Sequence, residues 1–94
     1  MDEPNVKIRI SPDVIFQPVL LGESLLLNVK TLTYFAFDAL GTALWEAIQE
    51  TENVAEAMQK AALVSGKPLN EIQPRMQSIL AGLERSGLIS MAES

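Results

Sequence analysis

The amino-acid sequence predicts an α+β fold in which a small antiparallel sheet of three strands is followed by three helices. Two observations carry this prediction. Residues 7–37 contain short runs with the alternating or β-branched character of strands, separated by turn residues. The rest of the chain carries apolar residues at helical spacing, with capping residues where each helix is expected to begin.

Four short segments are predicted to be extended. Residues 7–10 alternate polar and apolar side chains, the period of a half-buried strand, and residues 14–17 form a second piece that ends at Pro18. Residues 25–29 are strongly apolar, and residues 32–37 are rich in threonine and aromatic side chains, as strands are. Together they predict a meander of about three strands, with residues 32–37 as its third strand.

Capping residues predict where the first two helices begin and end. Asp38 is a predicted N-cap for a helix that runs to about residue 49. Asn53 and Glu56 have the spacing of a capping box, and they open a second helix that ends before Gly66.

The third helix is predicted to begin near residue 70. Pro74 is expected in its first turn, where a missing N–H costs least. After Ser86 and Gly87 the chain is expected either to pack back on the core or to add a last extended segment. Short strands followed by three helices resemble a winged helix. The apolar stripe of this helix consists of Ile72, Met76, Ile79, Leu80 and Leu83.

Length and composition predict a single domain spanning residues 1–94 and disfavour an enzyme. The chain has 94 residues, 48% of them hydrophobic, which is enough for one modest core. It contains no cysteine and no histidine, so disulfides, thiolate metal sites and the commonest general base are excluded. The remaining polar residues form no recognisable dyad or triad, and no cofactor is implied.

Charge and hydropathy limit which partners and which cellular compartment we expect. The net charge of −5 argues against nucleic acid, because binding to phosphates draws on clustered lysine and arginine. The first residues are polar and acidic, unlike a signal peptide. The longest apolar run, residues 19–27, is interrupted and is far shorter than the ~20 residues that span a bilayer. We therefore expect a cytoplasmic protein with neither a nucleic-acid nor a membrane partner.

Five stretches of the sequence resemble proteins of the PqqD-like family. The resemblance runs from about residue 8 to residue 89, and it rests on the order and spacing of the stretches more than on any single motif. They are ISPDVIF at 10–16, LLLN at 25–28, TYF at 33–35, DALGTALW at 38–45 and LAGLERSGLI at 80–89.

The resemblance implies a recognition element for ribosomally synthesised, modified peptides. In such domains the leader segment of the precursor adds as a strand beside the third strand and lies in a cleft against the third helix. Judged from the residues alone, Phe35, Phe37, Met76 and Ile79 could equally be core, and Arg75 a solvated helix residue. Carried over to this chain, the peptide-binding residues would be Leu32, Thr33, Tyr34, Phe35, Ala36, Phe37, Arg75, Met76 and Ile79.

Departures from the family pattern point to a subclass. Proteins dedicated to pyrroloquinoline quinone synthesis usually carry Pro-Glu before the third strand and Asp-Gly after the first helix. This chain has Val29-Lys30 and Glu50-Thr51 at those places. Its Tyr34-Phe35 pair and its Gly41…Trp45 pattern are more similar to the stand-alone recognition proteins of lasso-peptide clusters. The partners this implies are the precursor leader peptide, a leader protease, and possibly a cyclase or other modifying enzyme.

Three alternative functions stay open at this point. One is a peptide chaperone in the synthesis of pyrroloquinoline quinone or another modified peptide, and another is a scaffold subunit that binds folded partners. The third, a DNA-binding winged helix, would need a basic recognition helix. Residues 70–86 are close to neutral, with Arg75 and Arg85 against Glu71 and Glu84.

Overall fold

The computed structural model describes residues 6–93, and within them the predicted fold class is confirmed. No helix in this range is long and apolar enough to cross a membrane. In chain order the elements are β1 (Val6–Ile10), β2 (Val14–Pro18), β3 (Ser24–Asn28), β4 (Thr33–Phe37), α1 (Ala39–Thr51), α2 (Val54–Ser65), α3 (Leu69–Arg85) and β5 (Ile89–Glu93).

The strands form two separate antiparallel sheets. The predicted meander is the three-stranded sheet, in the order β2-β3-β4. Strand β1 lies outside it and pairs with β5, so that Ile10 faces Ile89. On its other side, the Ile8 N–H donates to the Glu52 carbonyl between α1 and α2 at 3.0 Å. Both outcomes expected for the end of the chain occur, since Leu88 is fully buried and a strand begins at Ile89.

The core joins the three-stranded sheet to the helices. Trp45 of α1 is its largest fully buried side chain. Its ring centroid lies 6.5 Å from that of Phe16 in β2 and 6.3 Å from that of Phe37 in β4. Aromatic pairs at this separation add stabilisation beyond their buried area, so α1 holds the sheet in a defined position.

The predicted helix ends of α1 and α2 are present. The Asp38 side chain accepts a hydrogen bond from the Gly41 N–H at 2.9 Å, and the Asn53 side chain accepts one from the Glu56 N–H at 3.1 Å. Gly66 ends α2 with a φ of 75°, the left-handed conformation in which glycine carries no Cβ penalty.

The prediction for Pro74 was wrong. Helix α3 begins at Leu69, which makes Pro74 its sixth residue and places it beyond the first turn. A proline there leaves the carbonyl of Asn70, four residues earlier, without its helical donor. Asn70 is exposed, so water can reach that carbonyl and the helix continues to Arg85.

Candidate functional site

The hydrogen bonds of the three-stranded sheet determine which backbone groups of β4 are free. At the two ends of the β2–β3 pair, the Val29 N–H donates to the Asp13 carbonyl at 2.9 Å and the Val19 N–H to the Glu23 carbonyl at 2.8 Å. Hydrogen-bonded and non-hydrogen-bonded residue pairs alternate along an antiparallel pair of strands. Counted back from Val29, every second residue of β3 therefore forms its backbone hydrogen bonds with β2. The residues of β3 that bond to β4 are therefore 24, 26 and 28.

Among the residues that the structure describes, no partner is found for the backbone groups of Tyr34 and Ala36 in β4. In the observed register, residues 24, 26 and 28 lie opposite Phe37, Phe35 and Thr33, which use their N–H and C=O groups inside the sheet. Tyr34 and Ala36 lie in the non-bonded pairs, and their N–H and C=O groups point to the open side of the strand. This side of β4 therefore presents both donors and acceptors to an added strand.

The opposite edge of the sheet, along β2, offers fewer backbone groups to an added strand. By the same alternation, its outward-facing residues are Val14, Phe16 and Pro18. Pro18 has no N–H, and its carbonyl accepts from the Gln17 side chain at 3.0 Å. The Val14 N–H already donates to the Ser11 carbonyl at 3.4 Å. The open edge is thus β4, the strand that the sequence analysis selected.

The side chains of β4 divide between the core and the solvent. Tyr34, 71% exposed, and the exposed Ala36 lie on the outer face of the sheet. Phe35 is half-buried and reaches α3, where a Cβ added at Gly82 would lie 3.0 Å from the Phe35 Cζ atom. Phe37 is only 5% exposed and belongs to the core. The ring of Phe35 therefore spans the space between the open edge and α3.

The three predicted residues of α3 differ in how far they reach the surface. Arg75 is exposed and forms an ion pair with Asp38, at the residue that follows β4. Ile79 is half-buried against the core. Met76 is fully buried, with 0% of its surface exposed. Its position on the core stripe of α3 explains this burial.

The structure therefore brings only part of the predicted set to one surface. The resemblance implied that Phe37 and Met76 bind peptide, but their side chains are buried in the core and do not reach this surface. Thr33 is exposed at the far end of β4, whereas Leu32, predicted to be part of the strand, is exposed in the turn before it with a φ of 61°. The open edge is formed by the backbone of Tyr34 and Ala36, and the predicted residues beside it on the α3 side are Phe35, Arg75 and Ile79.

Two residues of this surface were missed as site residues. Gly82 lies seven residues after Arg75 on α3, and its missing side chain makes room for Phe35. A glycine inside a helix is unfavourable and so signals a packing requirement. Asp38 was identified only as a cap, because no sequence spacing indicates its ion pair with Arg75, 37 residues away.

The pKa of Asp38 is lowered from its ordinary value of 3.8. The main cause is the hydrogen bond from the Gly41 N–H, and the ion pair with Arg75 adds to it, whereas partial burial acts in the opposite direction. The ionised carboxylate is therefore the form that the folded protein prefers.

Replacing Asp38 with alanine is expected to lower the free energy of unfolding at pH 7 by about 1 kcal/mol, the usual value of an N-cap. Because folding lowers the pKa of Asp38, its ionised carboxylate stabilises the folded protein. This stabilisation is complete above the unfolded-state pKa near 3.9, and it is lost as the pH falls through the pKa of the folded state. Urea unfolding of both proteins at pH 7 and at pH 3 measures this difference. A gap that stays constant between the two pH values would contradict an ionised cap.

Comparisons with known proteins agree with this geometry. The profile of the family described as Coenzyme PQQ synthesis protein D (PqqD) matches residues 23–89, which include β3, β4 and all three helices. The fold is similar to that of a solved structure, TbiB1 in complex with the TbiA(beta) leader peptide. The TM-score is 0.74 and the sequence identity 23%, over 87% of this chain and 94% of that chain. No curated protein matches the sequence. Since the family match covers well over half of its residues, the chain belongs to the PqqD family.

Proposed function

We propose that this protein is a non-catalytic domain that captures the leader segment of a ribosomally synthesised precursor peptide. The observation that carries the proposal is the open edge of β4, where the N–H and C=O groups of Tyr34 and Ala36 face outward beside α3. Membership of the PqqD family supports it. So does the similar fold of TbiB1, which was solved with a leader peptide.

The leader would bind by adding a strand to this edge. Two N–H and two C=O groups of Tyr34 and Ala36 are available, and each hydrogen bond contributes about 0.5–1.5 kcal/mol net. Ordering a disordered leader offsets much of that gain. The backbone bonds therefore fix the register of the peptide and contribute little to its affinity.

Apolar side chains of the leader would supply most of the affinity. Alternate residues of an added strand face the same side as Phe35, where the half-buried Ile79 and the bare backbone of Gly82 lie. Burial of apolar surface contributes about 25 cal/mol per Å², so a few anchors can bring the total near −8 kcal/mol, or roughly micromolar affinity. The peptide sequence is thus selected at the α3 side of the edge.

Delivery to other enzymes forms the second part of the proposal. A domain that binds without catalysis must present the leader to a separate protease and, in a lasso-peptide pathway, to a cyclase. The Tyr34-Phe35 pair and the Gly41…Trp45 pattern favour this pathway over pyrroloquinoline quinone synthesis. A scaffold that binds a folded partner is the second candidate, and the exposed Leu20 and Leu21 at the β2–β3 turn favour it.

Titration with the leader peptide of the cognate precursor, followed by fluorescence anisotropy, tests the proposal. We expect saturable binding near micromolar. A proline in the middle of the leader's extended segment should abolish it, because proline cannot donate to the ladder. A proline placed outside that segment is the control. Absence of binding at about 100 μM with a leader that is processed in the cell would reject leader capture and leave the scaffold function.

A further inference from the structure

A cavity lies where the open edge of β4 ends. It is enclosed by the start of α1, the end of α2 and the start of α3, and has a volume of about 370 Å³. That size lies within the ordinary range of small ligand sites and exceeds what one side chain needs. Its lining residues are Asp38, Ala39, Leu40, Ala43, Val64, Ser65, Lys67, Ile72 and Arg75.

The inner surface of this cavity is apolar. Leu40 and Ile72 are buried and form its base, with the half-buried Ala43 beside them. Val64 also lines the cavity and is 70% exposed. An apolar side chain placed in the cavity would remove water from all four residues.

Charged groups at the cavity favour a negative ligand. Among its lining residues, Lys67 and Arg75 are cationic and only Asp38 is anionic, whereas the whole chain has a net charge of −5. Arg75 is already paired with Asp38, but the Lys67 ammonium forms no ion pair with any residue that the structure describes. A carboxylate of the ligand would therefore find Lys67 free to pair with it.

The position of the cavity determines which part of a bound leader reaches it. Asp38 follows Phe37 directly, so the cavity begins one residue beyond the end of β4. Both strand pairs of the sheet are antiparallel. A leader added in the same way runs from Phe37 towards Thr33, and its residues before the added strand extend past Asp38.

We infer that this cavity is a second recognition site for the leader, which takes an apolar side chain and a neighbouring aspartate or glutamate from the segment just before the added strand. The inference rests on the proposed leader binding and specifies the peptide beyond the strand itself. The acidic residue pairs with Lys67, while the apolar residue contacts Leu40, Val64 and Ile72.

Charge reversal at the cavity tests the electrostatic part. Lys67→Glu should weaken leader binding about fivefold or more at low salt. Lys7→Glu makes the same charge change on the exposed face of β1, away from the cavity, and should change it less than about twofold. A second leader carries asparagine and glutamine in place of the aspartates and glutamates before the added strand. Lys67→Glu should no longer weaken the binding of this leader. Equal effects of the two variants, or an effect of Lys67→Glu that persists with this leader, would overturn the inference.

Filling the cavity tests the apolar part independently of charge. Ala39 is exposed and lines the cavity, so Ala39→Phe can occupy it without disturbing the core. We expect at least about fivefold weaker binding with an unchanged melting temperature. If Ala39→Phe and Lys67→Glu bind the leader as the unmodified protein does, the cavity site is wrong although leader capture stands. If the unmodified protein binds no leader, both proposals are rejected.

Discussion

Replacing Ala36 with proline is expected to weaken leader binding by about 10- to 100-fold while the protein stays folded. The N–H of Ala36 points to the open side of β4, so its loss removes no hydrogen bond to β3. The proline ring would occupy the path of the added strand, and one donor to the leader is lost. Together these effects correspond to about 1.4–2.8 kcal/mol of binding free energy.

The matched control is Ala36→Val, which keeps the N–H and suits a strand. Its leader affinity should stay within about twofold of the original, since the side chain points to the exposed face of the sheet. Circular dichroism melting of both variants reports whether the sheet is retained. Wild-type affinity in a folded Ala36→Pro protein would show that the leader does not pair with this edge.

The family resemblance pointed to the strand at residues 32–37, but the sequence did not indicate which of its backbone groups lack a partner in the sheet. Alternation separates Tyr34 and Ala36 from Phe35 and Phe37, yet only the register with β3 shows that the first pair carries the free backbone groups. The family resemblance assigned Met76 to the cleft, together with Arg75 and Ile79. The burial of Met76 follows from the apolar stripe of α3, which the helical periodicity of the sequence already indicated.

Long-range pairings account for what the sequence did not predict about the fold. The helix ends at Asp38, Asn53 and Gly66 depend on residues within one turn, and all three were predicted correctly. The pairing of β1 with β5 joins opposite ends of the described chain, and no local pattern specifies it. The same holds for the cavity beside Lys67, which three helices enclose only after they pack.

Replacing Gly41 with alanine is expected to lower the free energy of unfolding by about 2 kcal/mol, although alanine is the better helix former. A Cβ at Gly41 would lie 2.6 Å from Cδ1 and 3.0 Å from Cβ of Phe37, inside van der Waals contact. Overpacking of this kind costs about 1–3 kcal/mol, and the tight contact places it at the upper end. The gain in helix propensity returns only about 1 kcal/mol. Urea unfolding followed by tryptophan fluorescence measures the difference.

Gly82→Ala is the matched control, because its new Cβ would meet only the far end of the half-buried Phe35 ring, at 3.0 Å from Cζ. That ring can move, so the loss should be smaller than at Gly41. In a Phe37→Ala background the cost of Gly41→Ala should also shrink, since the Cδ1 atom at 2.6 Å and the Cγ atom at 3.0 Å are gone. A rise in stability on Gly41→Ala would mean that Phe37 does not pack on α1. The end of β4 would then lack the contact that holds its open edge in place beside α3.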